Sequence, residues 1–546
     1  MEFTRRNLGL LLAGVAYAIL SCYFIWQDKI WYTLFPFALI AVYYAIYRTE
    51  WAFLSLALFT PLSINIEEYT QSFGLFIPTE PLLFGFMLLL ILMQIQRPIV
   101  PKAIWKNPLI WAISFYLFWI FITSITSSDP IASLKFLLAR LWFLIPMLLL
   151  GTYVFRDKIN ITRFFWLFSI GMIIAITYTL IVHASYRFGE KESHWVMWPF
   201  FKDHTIYGAI VALVIPLIFG LYFSKKHTPL IQATLLTFMG ISLLGLYFSY
   251  TRAAWLSIMA ALVVWALIRF KIKFSLLAAV TVMAGSIFFF SWDSIQMELE
   301  RNKSEHTTEE FGERLQSATN VSSDASNLER LNRWSCAISM FEERPIFGFG
   351  PGTYAFEYAR FQEPENLTII STNFGNLGNA HSEFLGPLAE MGLIGLISIC
   401  LIIAAIFYKA ITLYNRWPSE DKEIRVLLMA MILSLTTYFV HGVLNNFLDT
   451  DKAAVPIWGM CAMIMALEIS LESKSKEGSI IRYSSSKKEK RRSDSDGAFS
   501  FPLALALFLT LTNRVLFFEK EKENESEKFN ISDPKTTLQG KPNYRT

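Results

Sequence analysis

Charged residues are scarce in this 546-residue chain, because Asp, Glu, Lys and Arg together supply only 17% of it against 54% hydrophobic residues. Apolar residues therefore far exceed what a soluble core needs, which excludes an ordinary soluble protein. Apolar runs of about 20 residues, the length that crosses a bilayer, recur along the chain. The sequence predicts an all-α polytopic membrane protein with about twelve to fourteen transmembrane helices.

Cysteine and the common catalytic signatures are also scarce. Only four cysteines occur, three of them in apolar runs and Cys336 alone in a polar segment, so neither a disulfide framework nor a cysteine metal site is predicted. The chain has no G-x-S-x-G, H-E-x-x-H or P-loop motif. It also has no basic stripe interleaved with aromatic residues, so no nucleic-acid partner is expected.

Lys and Arg are missing from alternate short loops, such as "NIEEYTQSFG" and "TSSDP". Positive residues stay in the cytoplasm, so this asymmetry orients the chain. The first apolar run, 8–26, follows Arg5 and Arg6 and lacks a cleavage site, which predicts a retained first helix. The loops that contain Lys158, Lys225 and Lys409 are then predicted to be cytoplasmic.

This threading predicts a polytopic membrane domain over residues 1–471 that contains one large external loop, 291–390. Loops of this length are usually functional, and the first half of this one is polar. Residues 472–497 are basic and serine-rich, which predicts a cytoplasmic tail that does not fold alone. Residues 498–546 contain a hydrophobic segment, 498–518, whose insertion into the membrane stays open.

The second half of the external loop predicts an amphipathic helix between a cap at Ser326 or Asn327 and a stop at Pro345. We expect it to lie along the outer membrane surface, with Arg330 and Arg333 on its polar side. The apolar residues that recur at three- and four-residue spacing are Leu328, Leu331, Trp334, Ile338 and Phe341.

A histidine and two glutamates stand before an apolar run in "GNAHSEFLGPLAEMGLIGLI", residues 378–397. An imidazole can take a proton from a hydroxyl group near neutral pH, so His381 is a candidate base, with Glu383 and Glu390 beside it. The alternative is an interfacial histidine solvated at a helix end. The Pro and Gly residues that follow favour a bent helix entry, which would fix His381 against its neighbours.

Several arginines are predicted near the external face. Arg252, in "FSYTRAAWLS", begins an apolar helix, and Arg140 lies deeper in another. A charge at such a position has either a function or a snorkelling side chain. Guanidinium groups bind phosphate oxygens in a bidentate manner and stabilise a pyrophosphate leaving group. Arg252 and Arg330 are the candidates for binding a lipid-linked pyrophosphate.

Three other stretches are less specific. The glycines of "FGFGPGTY", 347–354, predict a tight turn after Pro345. "DTD", 449–451, resembles the metal-binding pair of nucleotide-sugar transferases, but its external placement favours a solvated loop with a helix-capping aspartate. The loop 183–208 is rich in Trp, His and charge, which is typical of an interfacial belt, and it contains His204.

Taken in order, "ERLNRWSCAISMFEERPIFGFGPGTY" and "NAHSEFLGPLAEMGLIGLI" resemble the signature of the O-antigen ligase and polymerase superfamily. That signature is an Arg-x-x-x-Trp helix, a Pro-x-x-Gly-x-Gly turn, and a His before a Glu-x-Gly-x-x-Gly helix. "SYTRAAWLS" is similar to the Thr-Arg-Gly-x-Trp segment of the family, with Ala253 in place of Gly, and "FKDHTIYGAIVALVIP" is similar to the segment before it. The resemblance covers roughly residues 100–470, with the ligase-related region at 200–470.

The resemblance implies a metal-independent, inverting glycosyltransferase with a GT-C-like fold and no cofactor. It would act at the periplasmic face of the bacterial inner membrane, moving a glycan from undecaprenyl pyrophosphate to lipid A-core or another glycan acceptor among the membrane lipids. Carried over to this chain, Arg252 and Arg330 would bind the pyrophosphate, and His381 would orient or deprotonate the acceptor hydroxyl. The possible supporting residues are Arg140, Arg333, His204, Glu383 and Glu390.

Alternatives remain open at this point. The motifs do not separate a ligase, our first choice, from a polymerase that extends the glycan on its carrier, or from a protein O-oligosaccharyltransferase. A lipid or solute transporter is the alternative from another class. That class predicts broken helices and ionisable residues near the bilayer midplane. Here the polar residues crowd at one face and in one long loop, with Arg140 as the main exception.

Overall fold

A computed structural model describes residues 5–29, 32–33, 35–67, 74–271, 325–362 and 378–486. The chain divides into two compact units, Met1–Lys476 and Glu477–Thr546, and the features below belong to the first. Three predictions lie wholly or partly outside the described residues: the polar first half of the long loop, the end of the basic tail, and the segment 498–518.

Helices dominate the described residues. In chain order they are α1 (Arg5–Trp26), α2 (Phe35–Tyr47), α3 (Thr49–Phe59), α4 (Thr79–Gln96), α5 (Pro108–Ile125), α6 (Pro130–Ile145), α7 (Gly151–Val154), α8 (Lys158–Ser185), α9 (His204–Ser224), α10 (Pro229–Tyr247), α11 (Arg252–Arg269), α12 (Ala325–Glu343), α13 (Tyr354–Glu357), α14 (Leu385–Arg416), α15 (Lys422–His441) and α16 (Asp451–Ser486). A π-helical turn, Pro146–Leu150, joins α6 to α7. Two short strands, β1 (Ile64–Asn65) and β2 (Phe76–Ile77), pair antiparallel, with Ile64 opposite Ile77.

Ten helical segments in the described part of the chain are long and apolar enough to cross a membrane. The prediction of an all-α polytopic membrane protein is thus confirmed. The predicted total of about twelve to fourteen also covered residues 272–290, which are not described, and the first run, whose apolar part Leu11–Trp26 is shorter than the ten. The most buried of the ten segments are α9, α15 and α16, so these form the centre of the bundle.

Polar residues at the helix starts explain where several spans begin. The side chain of Asn107 accepts a hydrogen bond from Leu109 N (3.0 Å), and Asp129 caps α6 in the same way. Each is followed by a proline, which has no N–H to satisfy in the first turn. Asp203 caps α9, accepting from Thr205 N at 2.7 Å. The capping side chains mark these helix starts in the sequence, and for α5 and α6 the following proline marks them as well.

Basic loops gather at one end of the bundle, which we call the basic end. Lys158 Nζ lies 2.8 Å from Asp421 Oδ2, and Lys225 Nζ lies 3.5 Å from Glu423 Oε1. These residues stand where α8 begins, α9 ends and α15 begins, so loops that were predicted to share a face do meet. The other end, where α9 and α11 begin and α15 ends, contains His381, and we call it the histidine end.

A glycine-rich turn packs on a break in α14 at the histidine end. Gly392, with φ 67° and ψ −167°, interrupts the helix, and Gly348 in the turn has φ 65°. A Cβ on Gly392 would overlap the carbonyl of Ile346, and one on Gly348 would overlap the backbone of Glu390. Both glycines are therefore required, for conformation and for close approach. The bent entry and the tight turn predicted from the sequence are confirmed.

The predicted amphipathic helix is confirmed as α12, but one of its faces was assigned wrongly. Arg333, expected on the polar outer side, is buried, and its Nε donates to Glu329 Oε1 at 2.8 Å. Leu331 and Ile338 are instead 40% and 46% exposed. The helix thus packs on the protein through a face that contains an internal ion pair, and Leu331 and Ile338 of its apolar stripe point away from the protein.

Candidate active site at the histidine end

His381 lies in a tight segment directly before α14. Its backbone has φ 46°, a left-handed conformation uncommon outside glycine, and its N–H donates to Asn379 Oδ1 at 3.0 Å. Ser382, buried beside it, accepts from Phe384 N and Leu385 N at 3.2 and 3.3 Å. The asparagine turn and the serine cap together hold His381 at the mouth of the helix. Such conformations cluster at functional sites, where the surroundings enforce them.

Arg333 holds this segment from the side of α12. Its Nη1 donates to the carbonyl of Asn379 at 3.1 Å, while its guanidinium lies 5.2 Å from the ring centre of Tyr358. The hydroxyl of Tyr354 in turn donates to the Arg333 carbonyl at 2.7 Å. Since Glu329 already pairs with Arg333, the guanidinium is fixed by three neighbours, and it holds the segment that contains His381.

Glu383 holds the segment from the other side, against the loop 442–450 that follows α15. Its Oε1 accepts from the Tyr438 hydroxyl at 2.6 Å and from the backbone N–H groups of Phe447 and Leu448, both at 2.8 Å. Its own N–H donates to the Gly442 carbonyl at 2.8 Å. Burial raises the pKa of Glu383, against the lowering effect of the Tyr438 hydroxyl. This side chain therefore fastens two loops of the site together.

Removing the Glu383 carboxylate is expected to loosen the site. Glu383→Ala leaves two buried N–H groups and one hydroxyl without an acceptor, which costs about 3 kcal/mol. Glu383→Gln keeps a carbonyl acceptor and is expected to cost about 1 kcal/mol. Thermal unfolding in nanodiscs measures both, with Glu420→Ala, an exposed carboxylate at the basic end, as the control. Equal stability of all three variants would contradict this fastening role.

Two arginines and an asparagine surround the His381 imidazole. Burial, together with the positive charges of Arg333 and Arg330, lowers the pKa of His381 from 6.5 to about 4. Asp203 and the side chain of Asn445 act in the opposite direction. The structure thus brings Arg330, Arg333 and His381 together. At neutral pH the imidazole is uncharged and able to accept a proton.

Arg252 and His204 begin neighbouring helices at this end. Arg252 is the first residue of α11, as predicted, and the preceding Thr251 donates from Oγ1 to the His204 carbonyl at 2.8 Å. The His204 ring lies 4.1 Å, between ring centres, from that of His194. The charges of His204 and Arg330 also act on His441, at the end of α15. Arg252 is therefore tied to this cluster through the backbone of α9.

Arg140 and Glu390 support loops of the site at a distance from His381. The Nη1 atom of Arg140 donates to the carbonyl of Leu448, in the loop that Glu383 also holds. The carboxylate of Glu390 accepts from Tyr354 N at 3.0 Å, behind the glycine-rich turn. Arg140 is thus a buried tether between α6 and this loop.

The "DTD" stretch is not the solvated loop that the sequence favoured. Asp451 is buried in the first turn of α16 and accepts from Ser63 Oγ, and Lys452 donates from Nζ to the carbonyls of Thr60 and Ser63, both at 2.7 Å. Asp449 is exposed. Burial forced these charges to find partners, and the partners lie almost 400 residues earlier. Among the described residues, no three or more His, Cys, Asp and Glu side chains are grouped to hold a metal ion.

An open apolar groove of about 420 Å³ adjoins the segment before α14 that contains His381. Trp334 stands four residues after Arg330 on α12, so the groove and that guanidinium share one side of the helix. Ser382, which follows His381, also borders the groove. It is lined by Trp334, Ser382, Phe384, Leu385 and Val443.

Sequence reasoning missed part of this cluster. His441 and Asn445 are both buried at the histidine end, and neither was singled out as a candidate. The available signal was the density of polar residues in "HGVLNNFLDTD", 441–451, directly after an apolar helix. All four cysteines are free, two buried and two exposed, in agreement with the prediction of no disulfide framework.

Comparison with known proteins identifies part of the chain. The family model described as O-Antigen ligase matches residues 237–400, which include Arg252, Arg330 and the segment 378–397 that contains His381. The resemblance to the O-antigen ligase superfamily seen in the sequence is thus confirmed. No curated protein matches this chain. The match supports a membrane glycosyltransferase of the ligase or polymerase type.

Proposed function

We propose, from the match of residues 237–400 to the O-antigen ligase family, that this multi-pass membrane protein transfers a glycan from undecaprenyl pyrophosphate to an acceptor hydroxyl. The acceptor is lipid A-core or a similar sugar lipid, the transfer inverts the anomeric centre, and no metal takes part. The protein lies in the bacterial inner membrane, and its histidine end faces the periplasm. His381 is the base, and Arg252 and Arg330 bind the pyrophosphate.

One juxtaposition carries the proposal: a partly buried imidazole, a guanidinium and an apolar groove adjoin one another. A lipid-linked pyrophosphate glycan needs apolar surface for its polyprenyl chain and cations for its phosphates. An alcohol acceptor needs a base. His381 supplies the base, Arg330 supplies a cation, and the groove beside Trp334 and Val443 supplies the apolar surface.

These groups would act together in a single displacement at the anomeric carbon of the donor. The acceptor oxygen bonds to the anomeric carbon while its proton passes to the neutral imidazole of His381. The bond from that carbon to the pyrophosphate oxygen breaks, and its electron pair stays on the pyrophosphate. Arg330 and Arg252 stabilise the charge that develops there, which is the larger share of the rate enhancement in such sites. Attack from the face opposite the leaving group gives inversion.

Donor binding is expected to raise the basicity of His381. In the free protein, burial and the charges of Arg333 and Arg330 keep its pKa near 4. A bound pyrophosphate adds negative charge beside Arg330, which offsets the lowering effect of that guanidinium. His381 is thus a stronger base when the donor is bound. We therefore expect the donor to bind before the acceptor is deprotonated.

The pH dependence of glycan transfer follows from the directions in which these groups shift the pKa of His381. Since His381 is neutral above about pH 4 in the free enzyme, kcat/KM for donor is expected to have no acid limb between about pH 5 and pH 8. The acid limb of kcat, which reports the donor-bound enzyme, is expected at higher pH than that of kcat/KM. Steady-state transfer rates measured across this range test both statements. A kcat/KM limb near the ordinary pKa of 6.5 would contradict them.

The lipopolysaccharide gel profile of the source strain tests the function. The profile is compared without this chain, with it, and with its His381→Ala variant. Bare core with polymer stranded on the lipid carrier indicates a ligase, and core with a single repeat unit indicates a polymerase. An unchanged profile would overturn the lipopolysaccharide assignment. In that case a protein acceptor is sought by glycoprotein staining, and movement of lipid-linked glycan across vesicles without a new glycosidic bond would establish a transporter.

A further inference from the structure

Two buried polar side chains at the histidine end, His441 and Asn445, lack hydrogen bonds of ordinary geometry, although Asn445 interacts with the His381 side chain. Both ring nitrogens of His441 and both amide atoms of Asn445 are shielded from solvent, yet none forms a hydrogen bond of ordinary geometry with any described residue. Each side chain is only 1% exposed. Buried polar groups are nearly always hydrogen-bonded, because leaving one unpaired destabilises the fold. His441 and Asn445 differ from the other such side chains among the described residues because each has two unsatisfied atoms, which calls for a functional explanation.

The positions of His441 and Asn445 in the fold indicate what their function is. Asn445 lies next to the His381 imidazole, and the charges of Arg330 and Asp203 act on His441. Both belong to the end of α15 and the loop 442–450, which Glu383 and Arg140 hold rigidly in position. Val443 of the same loop lines the apolar groove. The loop thus presents Val443 to the groove and the Asn445 amide toward His381.

We propose that His441 and Asn445 form a binding subsite for the hydroxyl groups of a sugar residue. A carboxamide offers two donors and an acceptor, and a neutral imidazole offers one of each, which suits adjacent hydroxyls that both give and accept hydrogen bonds. Neither group contributes a formal charge as Arg330 does, so the ligand they fit is neutral and rich in hydroxyls. The subsite rests on the proposed function, because it would orient the sugar at the reacting carbon or at the accepting oxygen.

The sugar has two possible sources, the donor glycan and the acceptor glycan, and three probes separate them. The first is the lipid-linked glycan that accumulates in cells lacking this chain, and the second is the undecaprenyl pyrophosphate released from it by mild acid. The third is core lipopolysaccharide without polymer. Dissociation constants for each are measured with the full chain in nanodiscs, for the wild type and for Asn445→Leu and Asn445→Ala.

Loss of glycan contacts is expected to weaken binding about tenfold for the lipid-linked glycan or for the core acceptor, with undecaprenyl pyrophosphate bound as before. The glycan that is weakened identifies the source. The matched control is Asn160→Leu at the basic end, where Nδ2 donates to the Val154 carbonyl at 2.9 Å and Oδ1 accepts from Arg163. Because Asn160 forms hydrogen bonds of ordinary geometry and the amide atoms of Asn445 form none, the melting temperature is expected to fall more for Asn160→Leu than for Asn445→Leu.

Three results would overturn the subsite. They are unchanged affinity for both glycan probes, an equal loss for undecaprenyl pyrophosphate, and a strong fall in melting temperature in both Asn445 variants, which would make the residue structural. A wild-type protein that transfers glycan while its Asn445 variants bind normally removes the subsite and leaves the proposed function standing. A wild-type protein that binds none of the three probes removes both.

Discussion

In the His381→Gln variant, glycan transfer is expected to fall by about a hundred- to ten-thousand-fold, the usual contribution of a positioned base. Glutamine keeps a polar side chain of similar reach but cannot accept the acceptor proton at neutral pH. Donor and acceptor affinities are expected to stay within about threefold, because Arg330 and the groove are untouched. Single-turnover transfer with lipid-linked glycan, together with binding measured separately, checks the result.

His227→Gln is the matched control for this variant. His227 lies at the basic end, where its Nε2 atom contacts the Leu221 carbonyl at 2.7 Å, so its loss tests histidine replacement away from the site. That variant is expected to transfer glycan at the wild-type rate. Unchanged transfer by His381→Gln would remove the imidazole from the mechanism, and loss of binding would make it a ligand-holding group.

Replacing Arg330 with glutamine is expected to lower kcat by about a hundred- to a thousand-fold, since a fixed cation on the leaving group is lost. Arg330→Lys keeps the charge without the bidentate geometry, and its rate is expected to fall between the two. A second readout separates this role from a structural one. Because Arg330 lowers the pKa of His381, its removal is expected to move the acid limb of kcat/KM to higher pH.

Arg360→Gln is the matched control for Arg330. Arg360 is also in the loop predicted to be external, but its side chain is half exposed and its ion pair with Glu343 spans 3.3 Å at the surface. Such exposed pairs contribute little to stability or function. The Arg360 variant is expected to transfer glycan at the wild-type rate. If it does, an unshifted pH profile in the Arg330 variant would exclude Arg330 from the site.

Sequence patterns predicted the local features of this protein well. The start of α11 at Arg252, the amphipathic helix α12 and the break at Gly392 all depend on nearby residues, through apolar spacing and glycines. Each is decided within one or two helical turns, which a pattern can capture.

The wrong predictions share the opposite property. Arg333 was expected to be exposed, but it is buried because the segment at Asn379, more than 40 residues later, closes over it. Asp451 was expected in a solvated loop, but it is buried against Ser63, 388 residues away. A charge pattern along one segment does not reveal which distant segment will satisfy it. For the same reason, Asn445 and His441 were overlooked until the fold brought their loop to His381.

The break at Gly392 also determines how α14 fits a bilayer. Uninterrupted, its 32 residues would extend for about 48 Å at 1.5 Å each, well beyond the roughly 30 Å of a hydrocarbon core. The 24 residues after Gly392 extend for only about 36 Å, which a modest tilt accommodates. The eight residues up to the break then belong to the headgroup layer. Hydrophobic mismatch is thereby reduced for the longest of the ten spans.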